Sequence, residues 1–157
     1  MCKHIFIFSV WITLLSGAAL GQDLDWEQLV SGNLDFRVVM VNPKDNRIIF
    51  AGQPGSLLKS VNGGKDWRRV LSIRGRLRDI HEVNANSSNC NLLFAATDSG
   101  LYRSDDAGER WVRIFRGKKE RENYCKTIAV CDQLILAGTK AGLFISRDNG
   151  RSWYKQG

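Results

Sequence analysis

Short apolar runs separated by polar, glycine-containing breaks recur along the chain. The clearest lie at 48–52, 92–97 and 134–139, and each is followed after a turn by a second run, at 57–60, 101–104 and 143–146. A tryptophan then opens a further β-rich stretch, at 67–71 and 111–115, and a polar loop leads to another strand at 78–83 or 127–130. Runs this short, bounded by Gly, Asp, Asn and Ser, predict strands joined by tight turns, four to a unit. The stretch before them is different. An apolar run from Ile5 to Leu15 follows Lys3 and His4 and precedes the small residues Ser16, Gly17, Ala18, Ala19 and Gly21. It is short for a membrane span, which needs about 20 residues. With Ala19-Leu20-Gly21 as a small-x-small cleavage site before Gln22, residues 1–21 read as a secretory signal peptide and place the protein outside the cytoplasm, secreted or periplasmic.

The strand pattern has a fixed period. Ser60-Val-Asn62-Gly-Gly64-Lys-Asp-Trp67, Ser104-Asp-Asp106-Ala-Gly108-Glu-Arg-Trp111 and Ser146-Arg-Asp148-Asn-Gly150-Arg-Ser-Trp153 superimpose as Ser-x-Asp/Asn-x-Gly-x-x-Trp. Trp26, Trp67, Trp111 and Trp153 stand 41, 44 and 42 residues apart, so the period covers the chain beyond the leader. Each element of the box suits a tight turn between two strands. The Asp or Asn oxygen accepts backbone N–H groups ahead of it, Gly supplies a positive φ, and Trp opens the next strand with a large buried face. Asp106 and Asp148 therefore read as turn staples rather than catalytic acids or metal ligands. Asn62 fits that reading, because a staple needs only an acceptor oxygen.

These boxes resemble the Asp-box, or bacterial neuraminidase repeat, of sialidases, sortilin-type receptors and the photosystem II assembly and stability factor family. Segments 26–42 and 67–84, each running from a Trp strand to a Val-Asn pair, look most like the last of these. The resemblance implies an all-β fold of four-stranded antiparallel propeller blades of about 42 residues. Residues 36–71, 77–115 and 124–157 are expected to form three blades, with 22–35 supplying a closing outer strand and loop. Family propellers carry about six to ten blades. A three-blade chain is then expected either to be the front of a longer propeller or to complete a ring by self-association.

Composition changes this picture little. The chain is 43% hydrophobic and 25% charged with 2 Pro, a globular balance that excludes a disordered or collagen-like chain. Its net charge is +7, lowered by one when Lys3 leaves with the leader. A basic exported protein favours an anionic protein segment or acidic glycan, with nucleic acid unlikely outside the cytoplasm as a partner. No Gly-x-Ser-x-Gly, phosphate-loop or His-Glu-x-x-His motif occurs, and no cofactor or metal is expected. His81 reads as a strand histidine. A sialidase would need a Phe/Tyr-Arg-Ile-Pro motif, of which Phe36-Arg37 keeps half, so Arg37 reads as a strand arginine. A sialidase-like or other glycoside hydrolase remains the alternative, with its catalytic residues outside this chain.

Cys90, Cys125 and Cys131 lie beyond the leader. The period places Cys131 one position from Cys90 in the neighbouring unit, which makes these two an expected disulfide and leaves Cys125 as a buried strand thiol. Asn86-Ser-Ser88 is a glycosylation acceptor in a eukaryotic source. The strongest binding signal is basic charge in two equivalent loops. Arg68, Arg69, Arg74, Arg76 and Arg78 mark the first, and Arg113, Arg116, Lys118, Lys119 and Arg121 the second. Both loops lead from an outer strand to the next unit's inner strand and share one face. Arg74, Arg76, Arg78, Arg116, Lys118, Lys119 and Arg121 are the candidate anionic-partner face of a non-enzymatic binding or assembly scaffold.

Overall fold

The computed structural model describes residues 35–156. The expected signal peptide, Trp26 and nearly all of the expected closing segment 22–35 lie outside the described residues, as does Gly157.

Three four-stranded antiparallel sheets follow one another along the chain. The first contains β1 (Val38–Val41), β2 (Ile49–Gln53), β3 (Ser56–Ser60) and β4 (Arg68–Ser72). The second contains β5 (Ile80–Ala85), β6 (Leu93–Thr97), β7 (Gly100–Ser104) and β8 (Val112–Phe115). The third contains β9 (Cys125–Cys131), β10 (Leu134–Thr139), β11 (Gly142–Ser146) and β12 (Tyr154–Lys155). Every strand pairs with its sequence neighbours in its own sheet, so each sheet is a meander in chain order. These are consecutive propeller blades, as the 42-residue period implies. β4, β8 and β12 each begin at the residue after a box tryptophan.

Two local features depart from the sequence pattern. β5 begins at Ile80, because the carbonyl of Arg78 is held in the loop by the N–H of Gly55 at 2.9 Å. The polar stretch before β9 contains a single helical turn, α1 (Glu120–Asn123). The Glu122 carboxylate accepts the N–H groups of Lys118 at 2.7 Å and Lys119 at 3.2 Å, satisfying donors that a helix start leaves open.

The core lies between blades. Alternation puts Val38 and Met40 of β1 toward the second blade, where they pack with Phe50, Leu57, Val83, Leu93 and Ala95. One period later Phe94, Ala96 and Leu101 of the second blade meet Ile128, Ile135, Ala137 and Phe144 of the third. Phe50 and Phe94 occupy the same position in successive second strands, opposite Lys59 and Arg103, and both are fully buried. Burying each such side chain is worth about 1.5–3 kcal/mol. Polar ties cross the same interfaces. Lys59 Nζ donates to Ala107 O at 2.7 Å and to Glu109 at 2.6 Å, while Arg103 donates to Asn149 O at 2.7 Å. Glu82 accepts both the Thr127 hydroxyl and the Ile128 N–H at 2.8 Å.

The cysteines correct one expectation. Cys90, Cys125 and Cys131 are all free, and the expected Cys90–Cys131 bridge is absent. Cys90 is buried whereas Cys131, at the end of β9, is exposed. Cys125 is the buried strand thiol, and burial, helped by Glu82, pushes it up to about 12. Asn86 is also buried. Its amide donates to Asp132 O at 2.9 Å and its oxygen accepts the N–H groups of Ser88 and Asn89, so the acceptor nitrogen is engaged in the fold.

Candidate functional site

The blades have two dissimilar ends. At one end sit the boxes, built alike three times. Ser60, Ser104 and Ser146 are buried, and each hydroxyl accepts the N–H of Gly64, Gly108 or Gly150 at 2.8 Å. Each hydroxyl also donates to the box acceptor, at 3.0 Å to Asn62, 2.9 Å to Asp106 and 2.8 Å to Asp148. The same acceptor oxygens take the N–H four residues on, from Asp66, Arg110 and Ser152, at 2.8–2.9 Å. Trp67, Trp111 and Trp153 close the turns by donating Nε1–H to the three glycine carbonyls at 2.8–3.1 Å.

These contacts leave the two box carboxylates little to offer a substrate. The Arg110 N–H and guanidinium, helped by the Ser104 hydroxyl, hold Asp106 far below the usual carboxylate range. The Ser152 hydroxyl and N–H lower Asp148 to about 2, with help from Ser146 and the Arg151 N–H. Asn62 fills the first box with a neutral amide oxygen. Among the described residues no group of three or more His, Cys, Asp or Glu side chains is placed to hold a metal ion.

The opposite end carries the loops between blades and the turns between second and third strands, and hydrogen bonds tie the two together. Gly55 N donates to Arg78 O at 2.9 Å, Ile73 N to Gly55 O at 3.0 Å, Asp98 N to Asp79 O at 3.0 Å and Lys140 N to Tyr124 O at 3.2 Å. Loop 73–79 and loop 116–124 therefore emerge on one end of the sheets, pinned to that end's turns. Arg74, Arg76, Arg78, Arg116, Lys118, Lys119 and Arg121 are all exposed there. The ion pairs found among the described residues include none of the seven. Glu122, a nominal counter-charge, is turned onto the backbone N–H groups of Lys118 and Lys119, and no ion pair among the described residues joins it to either ammonium group.

Arg68, Arg69 and Arg113 separate from this set, since they lie within β4 and β8. Arg68 pairs with Glu109 of the next box. Tyr124 connects the two loops. Its ring carries Lys140 Nζ at 3.7 Å and Lys126 Nζ at 5.7 Å. Burial, with Asp98 and Glu120, pushes its hydroxyl up, and Arg76 of the first loop opposes them, so the two loops share one electrostatic neighbourhood.

A second basic row was not legible from motif reading. Arg37, His81 and Lys126 each stand one residue before the inner-strand partner of Gly52, Ala96 or Gly138. Their spacings of 44 and 45 lie at and one above the longest box spacing of 44, and this was the available signal. Each of the three meets a carboxylate within the fold. Arg37 pairs with Asp35 and Asp79, as a strand arginine. His81 Nε2 stands 2.7 Å from Asp98 and 2.7 Å from Lys126 Nζ, which lies 3.5 Å from the same carboxylate. Burial works against the charge on Asp98, but His81, the Asp79 N–H and Lys126 outweigh it and hold the group below the ordinary range.

Comparisons with known proteins agree with this geometry. The chain is similar to a xyloglucanase of Hypocrea jecorina (strain QM6a), with 24% identity over 149 residues, 92% of this chain and 18% of the enzyme. An ancestral GH74 enzyme superimposes with a TM-score of 0.69 at 21% identity, covering 79% of this chain and 20% of its own. YCF48 from Cyanidioschyzon merolae superimposes with a TM-score of 0.58 at 18% identity, covering 76% and 36%. A structure of YCF48 bound to D1 peptide gives 0.58 at 15% identity, covering 78% and 40%. The chain thus spans about a fifth of the curated relative and a fifth to two fifths of these solved chains. At these identities the solved structures establish the propeller fold. Membership follows from the family model, described as photosynthesis system II assembly factor YCF48, which matches residues 2–119: the chain belongs to the YCF48 family of Asp-box propeller proteins.

Proposed function

We propose that the chain is an exported, non-enzymatic binding and assembly module whose loop end docks an acidic protein segment. The observation that carries this reading is the set of seven exposed Lys and Arg side chains on one end of the blades, none ion-paired among the described residues. Repetition in two equivalent loops makes a patch, and a patch of one sign steers and orients an oppositely charged partner. A relative described as bound to a peptide supports a protein partner over an acidic glycan. Export rests on the sequence of residues 1–21. No helix among the described residues is long and apolar enough to cross a membrane. The xyloglucanase likeness covers 18% of that enzyme and brings no glycoside hydrolysis to this chain.

The test is charge reversal. A fluorescent acidic peptide, such as an oligoglutamate, is titrated with the wild-type chain and with a variant carrying Arg74→Glu, Arg76→Glu, Lys118→Glu and Lys119→Glu. The expected result is a loss of affinity of at least about tenfold and wild-type binding that weakens as salt rises. Unchanged affinity in the folded variant overturns the reading. Tighter retention on heparin than on the peptide would move the partner class to a glycan. N-terminal sequencing of the exported protein checks the leader, with Gln22 the expected first residue.

A further inference from the structure

We propose that His81 is a proton-operated switch at the loop end, which holds Lys126 while its ring is neutral and releases that ammonium to the docking face when the ring is protonated. The inference rests on the reading of that end as an anion-binding face and adds a regulation to it.

The argument comes from the donors and acceptors around one imidazole. Asp98 Oδ1 lies 2.7 Å from His81 Nε2, and Lys126 Nζ lies 2.7 Å from Nε2 and 3.4 Å from Nδ1. A carboxylate only accepts and an ammonium only donates. The neutral ring has one N–H and one bare nitrogen, so in either tautomer it keeps an acceptor for Lys126. The protonated ring carries N–H on both nitrogens. It then offers donors alone, which suit Asp98 and repel Lys126. Lys126 is left with the Asp98 carboxylate at 3.5 Å, shared with a nearer cation.

Burial decides which partner moves. The Asp98 side chain is 8% exposed and is tied to the loop before β5, because it also accepts the Asp79 N–H at 3.2 Å. His81 is held within β5 and is 18% exposed. Lys126, near the start of β9, is 43% exposed on a flexible four-carbon stem, so it is the group free to swing out. The other groups around the ring are already committed. Asp79 pairs with Arg37 of the preceding blade, and Glu82 accepts the Thr127 hydroxyl and the Ile128 N–H. Burial pushes the Cys125 thiol up to about 12, so it stays neutral. β2 and β6, packed against β5, bring no titratable side chain. Asp98, held below the ordinary carboxylate range, stays ionised where histidines titrate, about pH 5–8. Protonation therefore turns a cation matched by a carboxylate into a pair of cations sharing it. The Tyr124 ring, 5.7 Å from Lys126 Nζ, marks where the freed ammonium joins the two basic loops.

Side-chain NMR of the full chain, followed from about pH 8 to about pH 5, tests the switch. His81→Gln identifies the His81 ring signal and Lys126→Met the Lys126 side-chain signal. In wild type the Lys126 signal should move in the same step as the His81 ring. In His81→Gln the amide N–H can donate to Asp98 while the amide oxygen accepts from Lys126 at every pH, so the Lys126 signal should stay flat. A fluorescent oligoaspartate, ionised over this range, reads the consequence. Wild type should bind it at least about threefold more tightly near pH 5.5 than near pH 7.5, and His81→Gln and Lys126→Met should lose that difference. Circular dichroism of each variant checks the blades, and the wild-type spectra decide the switch without any variant binding data. A Lys126 signal that stays flat while the His81 ring titrates overturns the switch. Equal pH dependence of binding in wild type and His81→Gln overturns the regulation. A chain that binds oligoaspartate at no pH overturns the docking reading instead, and the Lys126 signal still judges the switch.

Discussion

At the residue scale, the box works through positions that tolerate little change. Gly108 has φ +86°, and an added Cβ would lie 2.5 Å from Phe50 of the preceding blade, so box and interface compete for one space. Gly108→Ala is expected to cost on the order of 1–3 kcal/mol by overpacking, before any backbone strain. A urea melt measures it, and a loss under 0.5 kcal/mol, roughly the scatter of surface changes, would contradict the contact. The box acceptors differ in kind. Asn62 keeps the turn with an amide oxygen, so Asp148→Asn should preserve most of the third box, whereas Asp148→Ala strands the Arg151 and Ser152 N–H groups and should melt lower. Asp148 is lowered to about 2 by the Ser152 hydroxyl and N–H. Its contribution is present above the ordinary carboxylate value, near pH 4, and is lost as pH falls toward 2. An acid titration of wild type against Asp148→Asn should show the wild-type advantage vanish in that window. The thiols give a third check. Iodoacetamide on the native chain should label Cys131 well ahead of buried Cys90 and Cys125.

At the scale of elements, the blade interfaces carry most of the stability. Phe94 on β6 is fully buried against the third blade, and Phe94→Ala should cost about 3–5 kcal/mol, as large core truncations do. The same change at exposed Val112 on β8 should cost under about 0.5 kcal/mol in the same urea assay. Sequence made these strands legible because box and flanking runs repeat together, which fixes four strands, a turn type and a register at once. It made the two basic loops legible as charge. Whether nearby carboxylates answer that charge depended on where Glu122 points, and its carboxylate turns onto two backbone N–H groups to start α1. The row of Arg37, His81 and Lys126 was hidden for another reason. Three different residue types share the position, and irregular pairing at β5 and β9 stretches their spacing beyond the nominal period. The disulfide expectation failed for a related cause. The loop holding Cys90 runs seven residues between β5 and β6, whereas the turn after Cys131 has two, so equal period does not give equal position.

At the scale of the whole molecule, stacked blades touch only their neighbours, so stability should be graded from the middle outward. The second blade contributes to both apolar clusters, and every residue of β6 is buried. β12, at the far edge of the third blade, has two exposed residues paired on one side only. Hydrogen exchange on the native chain should therefore find the β6 amides slowest, opening only with global unfolding, and those of β11 paired to β12 much faster. The His81–Asp98–Lys126 group joins the second blade to the third, and Asp98 is held below the ordinary carboxylate range. Its contribution is present above about pH 4 and is lost as pH falls through the lowered value. Acid should then raise exchange in β9 to β11 before it reaches β6. If β6 and β11 instead accelerate together at every pH, the blades open as one cooperative unit, and the joint around Asp98 contributes no separate step.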